Sequence, residues 1–275
     1  MMAANYELVI KPRSGWQPID WKEVILHREL LGFLIWRDIK IRYRQTLLGG
    51  LWAVLQPLVA MLIFTFVFNR LAGVRSDGPP YPLFAFAGLV PWTFFSNGIS
   101  TSSNSLVANQ QLVSKIYFPR VFIPLGSIAA LLVDVCFSLV LLFALMIKYH
   151  WGLTYHALLL PIFIVAAFLS TSGLGLALSA FNVSFRDVKY TVPFLIQMGL
   201  FVTPVIYPMR YIPARLKLLI GLNPMTGVVL GFRSALLGTP ADWGLIRLSL
   251  LMSLVLFIGG LLIFRRMERR FADVI

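Results

Sequence analysis

Asp134 is the one acidic side chain set deep inside a long apolar run of this chain. A carboxylate midway through a membrane helix costs roughly 3 kcal/mol unless it faces a bundle interior or water. Two roles fit it: a pathway or proton-relay group, or a structural carboxyl bonded to hydroxyls such as Ser127 or Ser138. With no second acid or histidine inside the apolar runs, a proton-driven carrier is disfavoured. Of His27, His150 and His156, only His27 has a carboxylate one helical turn away, Glu23, and no further His or Cys stands near to complete a metal site. Cys136 is the single cysteine, so no intrachain disulfide can form. None of the seven lysines is followed by Ser or Thr, which excludes the usual phosphate-binding loop. No G-x-S-x-G nucleophile motif occurs. The stretch STSGLGLALSA, Ser170 to Ala180, reads as close helix packing through Gly173, Gly175, Ala177 and Ala180, not as a phosphate cradle. These residues argue against an enzyme and against metal or nucleotide binding by this chain.

The elements that must position them follow from composition. The 275 residues are 59% hydrophobic and 13% charged, about half the charge of a soluble domain. Mean hydropathy is +0.82. The expected fold class is an all-α polytopic membrane protein with six spans, at about 48–68, 81–103, 121–147, 157–181, 190–207 and 243–264. Each approaches the ~20 residues that cross the hydrocarbon layer. The fifth is the shortest and is broken by Pro193 and Pro204. The net charge of +13 flanks the apolar runs and forms no single patch, so nucleic acid is not the expected partner. The first 44 residues carry eight Lys/Arg and do not read as a signal peptide. Lys and Arg number 16 in segments placed inside and 8 in segments placed outside, which predicts both termini in the cytoplasm.

Residues 1–46 read as a lead and an interfacial helix, 47–265 as the transmembrane domain and 266–275 as a cytoplasmic tail. Asp20 with Glu23 forms a capping box for the helix that runs to Arg44. On it Leu26, Leu30, Phe33, Leu34 and Ile41 share one side, as for a helix lying in the inner membrane surface. Between the fifth and sixth spans, Pro208 to Pro240 is half apolar but chopped by Pro208, Pro213, Pro224 and Gly238. It is expected to form two short re-entrant helices, a gate that includes Tyr211, Leu216, Leu219, Met225 and Phe232. Trp92, Phe94, Phe95, Tyr190 and Tyr207 could line a conduit, since flat amphipathic rings stack on sugars.

The stretch NQQLVSKIYFPR, Asn109 to Arg120, is a short polar and basic interval between two apolar runs, with room for one short helix gripped from outside. It contains LVSKIYFPR (Leu112 to Arg120). With RYRQTLLGGLWAVLQPL (Arg42 to Leu58), NVSFRDVKY (Asn182 to Tyr190), NPMTGVV (Asn223 to Val229) and ERRFADVI (Glu268 to Ile275), it resembles ABC-2 type permeases that export polysaccharides. The likeness is to the transmembrane subunit of O-antigen exporters, with teichoic acid and capsule exporters close behind. It implies a homodimer with two copies of a separate ATPase subunit, which would bind ATP and Mg, so that no cofactor sits in this chain. It implies a bacterial inner-membrane location and a glycan carried on polyprenyl pyrophosphate. It implies coupling to the ATPase through Gln110, Gln111, Leu112, Lys115, Ile116, Tyr117, Arg120, Phe185 and Arg186. Arg42, Arg44, Arg186 and Lys189 are attractors for pyrophosphate by charge alone, or ordinary positive-inside flanks. An ABC-2 permease for drugs or lipids, and a membrane sugar transferase, are the competing readings.

Overall fold

The structure is a computed structural model that describes residues 26–44, 50–115, 118–185, 187–268 and 271. Those residues are helical with short connections, and no strand occurs among them. Five helical stretches are long and apolar enough to cross a membrane, and a sixth passes if a bent pair counts as one span.

Helix α1 (Arg28–Tyr43) precedes α2 (Leu51–Phe64), whose last turns widen to a π-helix over Thr65–Leu71. Helix α3 (Tyr81–Ala108) is the central post. Its 28 residues rise about 42 Å, well beyond the ~30 Å of hydrocarbon. It continues past the expected end at 103 and delivers the chain to α4 (Gln110–Lys115). Helices α5 (Phe122–Ala130) and α6 (Leu132–Lys148) form one interrupted span. A 3-10 turn, Tyr155–Leu159, leads into α7 (Leu160–Ser184).

Helix α8 (Val188–Val202) is the expected fifth span, shortened. Fifteen residues rise about 22 Å, and the chain leaves helical geometry at Thr203, just before Pro204. Then come α9 (Ala214–Gly221) and α10 (Pro224–Leu237), bent by 101° to each other, and α11 (Trp243–Glu268). Asn223 starts α10 by accepting a 3.0 Å bond from the Met225 N–H, and Gly238 ends it in the left-handed conformation that glycine adopts at no cost.

The closest approach is between α7 and α11. A Cβ on Gly173 would enter the backbone of Leu256 and Phe257, and one on Gly260 would enter the backbone of Gly173. The Ser170 hydroxyl donates to the Ser253 hydroxyl oxygen at 2.9 Å across the same seam. This is how small residues join membrane helices when burial of apolar surface supplies no net drive.

Two buried clusters result. The larger fills the space between α3, α6, α7 and α10. The smaller joins Leu34 of α1, Val113 of α4, Phe118 and Phe122, Leu176 and Ala180 of α7, and Phe264 of α11 with Phe271.

Candidate functional site

The second cluster fixes what lies around α4. Val113 is its buried anchor, while Gln110, Gln111, Ser114 and Lys115 are exposed and Leu112 is half-buried. A short helix seated by one apolar side chain among the ends of four others can pass a push to all of them. Arg120 is a different matter. Its guanidinium donates to the Glu268 carbonyl at 2.9 Å, closing the end of α11, where a cation meets free carbonyls. Asn182 ties the end of α7 to α3, donating to the Ser103 carbonyl at 2.9 Å and to Asn104 Oδ1 at 3.2 Å. Phe185 follows it, exposed. Ile116, Tyr117 and Arg186 lie outside the described residues.

Helix α1 packs along α5, with Leu34 opposite Gly126. The expected single apolar side splits in two. Leu34 is buried with Leu30 and Leu31 beside it, whereas Leu26, Phe33, Trp36 and Ile41 are exposed. At its end Arg42 reaches Asp134 in a 3.0 Å ion pair, and the Tyr43 hydroxyl donates to the same carboxylate. Burial, then the bond to Asp134 and its negative charge, raise the Tyr43 pKa, which keeps the phenol a donor. So Asp134 takes its partners from α1. Ser127 instead donates to the Pro124 carbonyl at 2.9 Å, and Ser138 lines the cleft beside it. Arg42, weighed as an attractor for pyrophosphate or as an ordinary flank, is paired, while Arg44 is exposed at the helix end.

Beside this pair lies a cleft of about 90 Å³, walled by Trp52, Gln56, Thr93, Phe94 and Asn97. Of the expected conduit aromatics, only Phe94 lines it. Trp92 is buried, its ring against Phe95 and next to Gly199 of α8. Packing between α3 and α8 accounts for Trp92. Tyr190 is 76% exposed on α8, and Tyr207 donates to the Phe201 carbonyl at 2.8 Å.

The expected gate residues divide likewise. Tyr211, Leu216 and Leu219 are exposed, but Met225 and Phe232 sit fully in the larger cluster, because α10 packs into α3, α7 and α11. The broken interval is pinned at several points. Arg210 pairs with Asp77 at 3.2 Å, and the Arg75 N–H reaches the Tyr211 hydroxyl at 3.4 Å. That backbone bond, with Arg210 second, lowers the Tyr211 pKa.

With six spans and both termini inside, the segment between the fifth and sixth spans is external, and Arg233 is one of the eight cations expected outside. It is instead 1% exposed. Its Nε donates to the Phe84 carbonyl at 3.0 Å, one Nη to Pro204 at 2.6 Å and the other to Val205. Its guanidinium lies 3.5 Å from the centre of the Phe84 ring. Pro204 and Val205 lie where α8 has ended, so their carbonyls need outside donors. Gly88 gives the room, since a Cβ there would meet the Val205 carbonyl at 3.1 Å and the guanidinium closer still. The signal was present: no other charge occurs between Lys217 and Asp242. It is the same signal that singled out Asp134.

Comparison with known proteins fits this geometry. The ABC-2 type transporter family profile matches residues 29–237, from the start of α1 to the end of α10. An O-antigen export system permease protein, RfbA, of Myxococcus xanthus is 32% identical over 215 residues, 78% of this chain and 82% of its own. One of the same name from Klebsiella pneumoniae is 28% identical over 90% of this chain and 95% of its own. The polysialic acid transport protein KpsM of Escherichia coli is 25% identical over 86% of this chain and 92% of its own. With a family profile spanning most of its length and both membrane-crossing and bent helices inside the match, this chain belongs to the ABC-2 type transporter family.

Proposed function

We propose that this chain is the membrane subunit of an ATP-driven exporter that moves a polyprenyl-pyrophosphate-linked polysaccharide of the O-antigen type across the bacterial inner membrane. The observation that carries the reading is the extent of the likeness: relatives named for O-antigen export align over 82% and 95% of their own length. The lower identity of the polysialic acid relative makes a capsule polysaccharide the second choice of cargo.

On this reading two copies of the chain pair, and two copies of a separate ATPase subunit bind ATP and Mg below them. The termini, α1 and α4 face the cytoplasm. Closure of the ATPases pushes on the exposed side of α4. Val113 hands the motion to the second cluster, and so to α1, α5, α7 and α11 together. The exposed faces of α2 and α8 are available for the partner copy and the cargo path. Helices α9 and α10 close the outer side, with α10 buried in the core and Tyr211, Leu216 and Leu219 on the exposed surface.

The test is ATPase activity of this chain in lipid nanodiscs, alone and with the ATPase encoded beside it, with and without the glycan-bearing lipid. Activity confined to the co-purified complex and altered by that lipid is expected. Sugar transfer to a polyprenyl phosphate by the chain alone would replace this reading with the enzyme one.

A further inference from the structure

We infer that the cleft beside the Arg42–Asp134 pair is a binding site for an uncharged, hydroxyl-rich ligand, and, resting on the export reading above, that this ligand is a sugar residue of the cargo glycan.

The polar groups on the cleft wall carry the inference. Gln56 on α2, and Thr93 and Asn97 on α3, line it, and their side chains make no hydrogen bond to any described residue. Bare amides and hydroxyls inside the membrane-spanning part of a chain are costly unless water or a ligand satisfies them. Three such groups on two facing helices therefore mark a wet or occupied space, not a lipid face. Thr93 and Asn97 stand one helical turn apart, so both aim from the same side of α3.

The remaining lining selects the class of ligand. Trp52 and Phe94 add ring surface to the amides and hydroxyl, the combination that suits the apolar faces and hydroxyl edges of a sugar. The cleft has room for several water molecules, whose places a ring's hydroxyls could take. Charge argues against the pyrophosphate end of the cargo. Arg42 is the one cation on the lining, and Asp134 is bonded to it at 3.0 Å, so the pair offers no net attraction to an anion. Phosphate would have to compete with a carboxylate already in place, while a neutral hydroxyl can bond to the pair as it stands.

The experiment uses the full complex of this chain and its ATPase in nanodiscs. Two probes are titrated against ATPase rate: polyprenyl pyrophosphate alone, and the same lipid bearing the glycan of the producing cell. Replacing both Gln56→Ala and Asn97→Ala is expected to raise the half-saturating concentration of the glycan-bearing lipid about tenfold, as for two neutral hydrogen bonds lost. The bare lipid should shift less than about twofold on the same reasoning, having no sugar to lose. An equal shift for both probes, or none for either, overturns the inference. A photo-reactive phenylalanine analogue covers the case where the double variant fails to assemble. Placed at Trp52 it should cross-link to glycan, and placed at the exposed Val140 of α6 it should not. Absence of the Trp52 adduct, in a complex that still exports, overturns the inference and leaves the export reading intact. If the unaltered complex responds to neither lipid, the export reading fails and takes the site with it.

Discussion

Arg233 and Arg42 are both single cations beside long apolar helices, and the molecule uses them differently. Arg233 is surrounded: three carbonyls from two separate segments and one aromatic ring account for its guanidinium, with no water-facing side left. Arg42 has one acidic partner and about a third of its side chain exposed, at the mouth of a cleft. The first arrangement fixes the backbone around it. The second joins α1 to the middle of the α5–α6 span through an ion pair whose arginine is partly exposed while the Asp134 carboxylate is largely buried. The region around Arg233 is therefore the frame of the molecule, and the region around Arg42 is held from one partly exposed side only.

The sharpest way to break this comparison is at Arg233. In Arg233→Met the Phe84, Pro204 and Val205 carbonyls lose their donors, two of them with no helical bond to fall back on. Loss of stability should be about 3 kcal/mol or more, from acceptors left dry at about 1–3 kcal/mol each. Arg233→Lys should recover little of it, because an ammonium cannot match a planar fork spread over three carbonyls. Thermal unfolding of the purified protein in detergent reads this directly. A variant as stable as the parent would mean the fork is incidental and α10 is held by apolar packing alone.

A smaller effect is expected at the other arginine. Asp134→Asn keeps an acceptor for Tyr43 but removes the charge facing Arg42. With the arginine partly exposed and the carboxylate largely buried, the expected cost is about 2 kcal/mol, between that of an exposed pair and that of a buried one. The exchange of both residues, Arg42→Asp with Asp134→Arg, should restore part of it, and a double-mutant cycle isolates the pair from its surroundings. Coupling near zero would leave the packing of Leu34 against α5 and the Tyr43 contacts as what holds α1 to the third span.

Why the sequence disclosed some of this and not the rest is clear from particular residues. The helices could be read because membrane spans need about 20 uncharged residues, and such runs are visible without knowing what they touch. The seam at Gly173 was readable too, since small residues crowd where backbones meet. Register between distant segments was not. Nothing local to Arg120 says that it closes α11, nor anything near Met225 and Phe232 that they point into the core and not toward a path. An arginine near an apolar run is, by frequency, a flank at the membrane edge, and that expectation hid Arg233. The lone charge within an otherwise uncharged stretch was the better guide, and it applies equally to Asp134.

The least disruptive substitution separates coupling from structure. Acidic replacements at both Lys115 and Arg120 would confuse the two, because Arg120 holds the Glu268 carbonyl and its loss frays the end of α11. Lys115 is exposed at the last position of α4, and Gln111 is exposed one turn before it. Lys115→Glu should change stability by less than about 0.5 kcal/mol, as surface changes do. Two acidic groups, in Gln111→Glu with Lys115→Glu, reverse the charge offered to a partner without touching Val113 or the cluster beneath it. If α4 is where the ATPase pushes, this double variant should unfold at the parent temperature, while export and glycan-stimulated ATP hydrolysis fall together. Full activity at Gln111→Glu/Lys115→Glu would mean that the ATPase does not push on the exposed side of α4, and the short helix would be only a neighbour of the true contact.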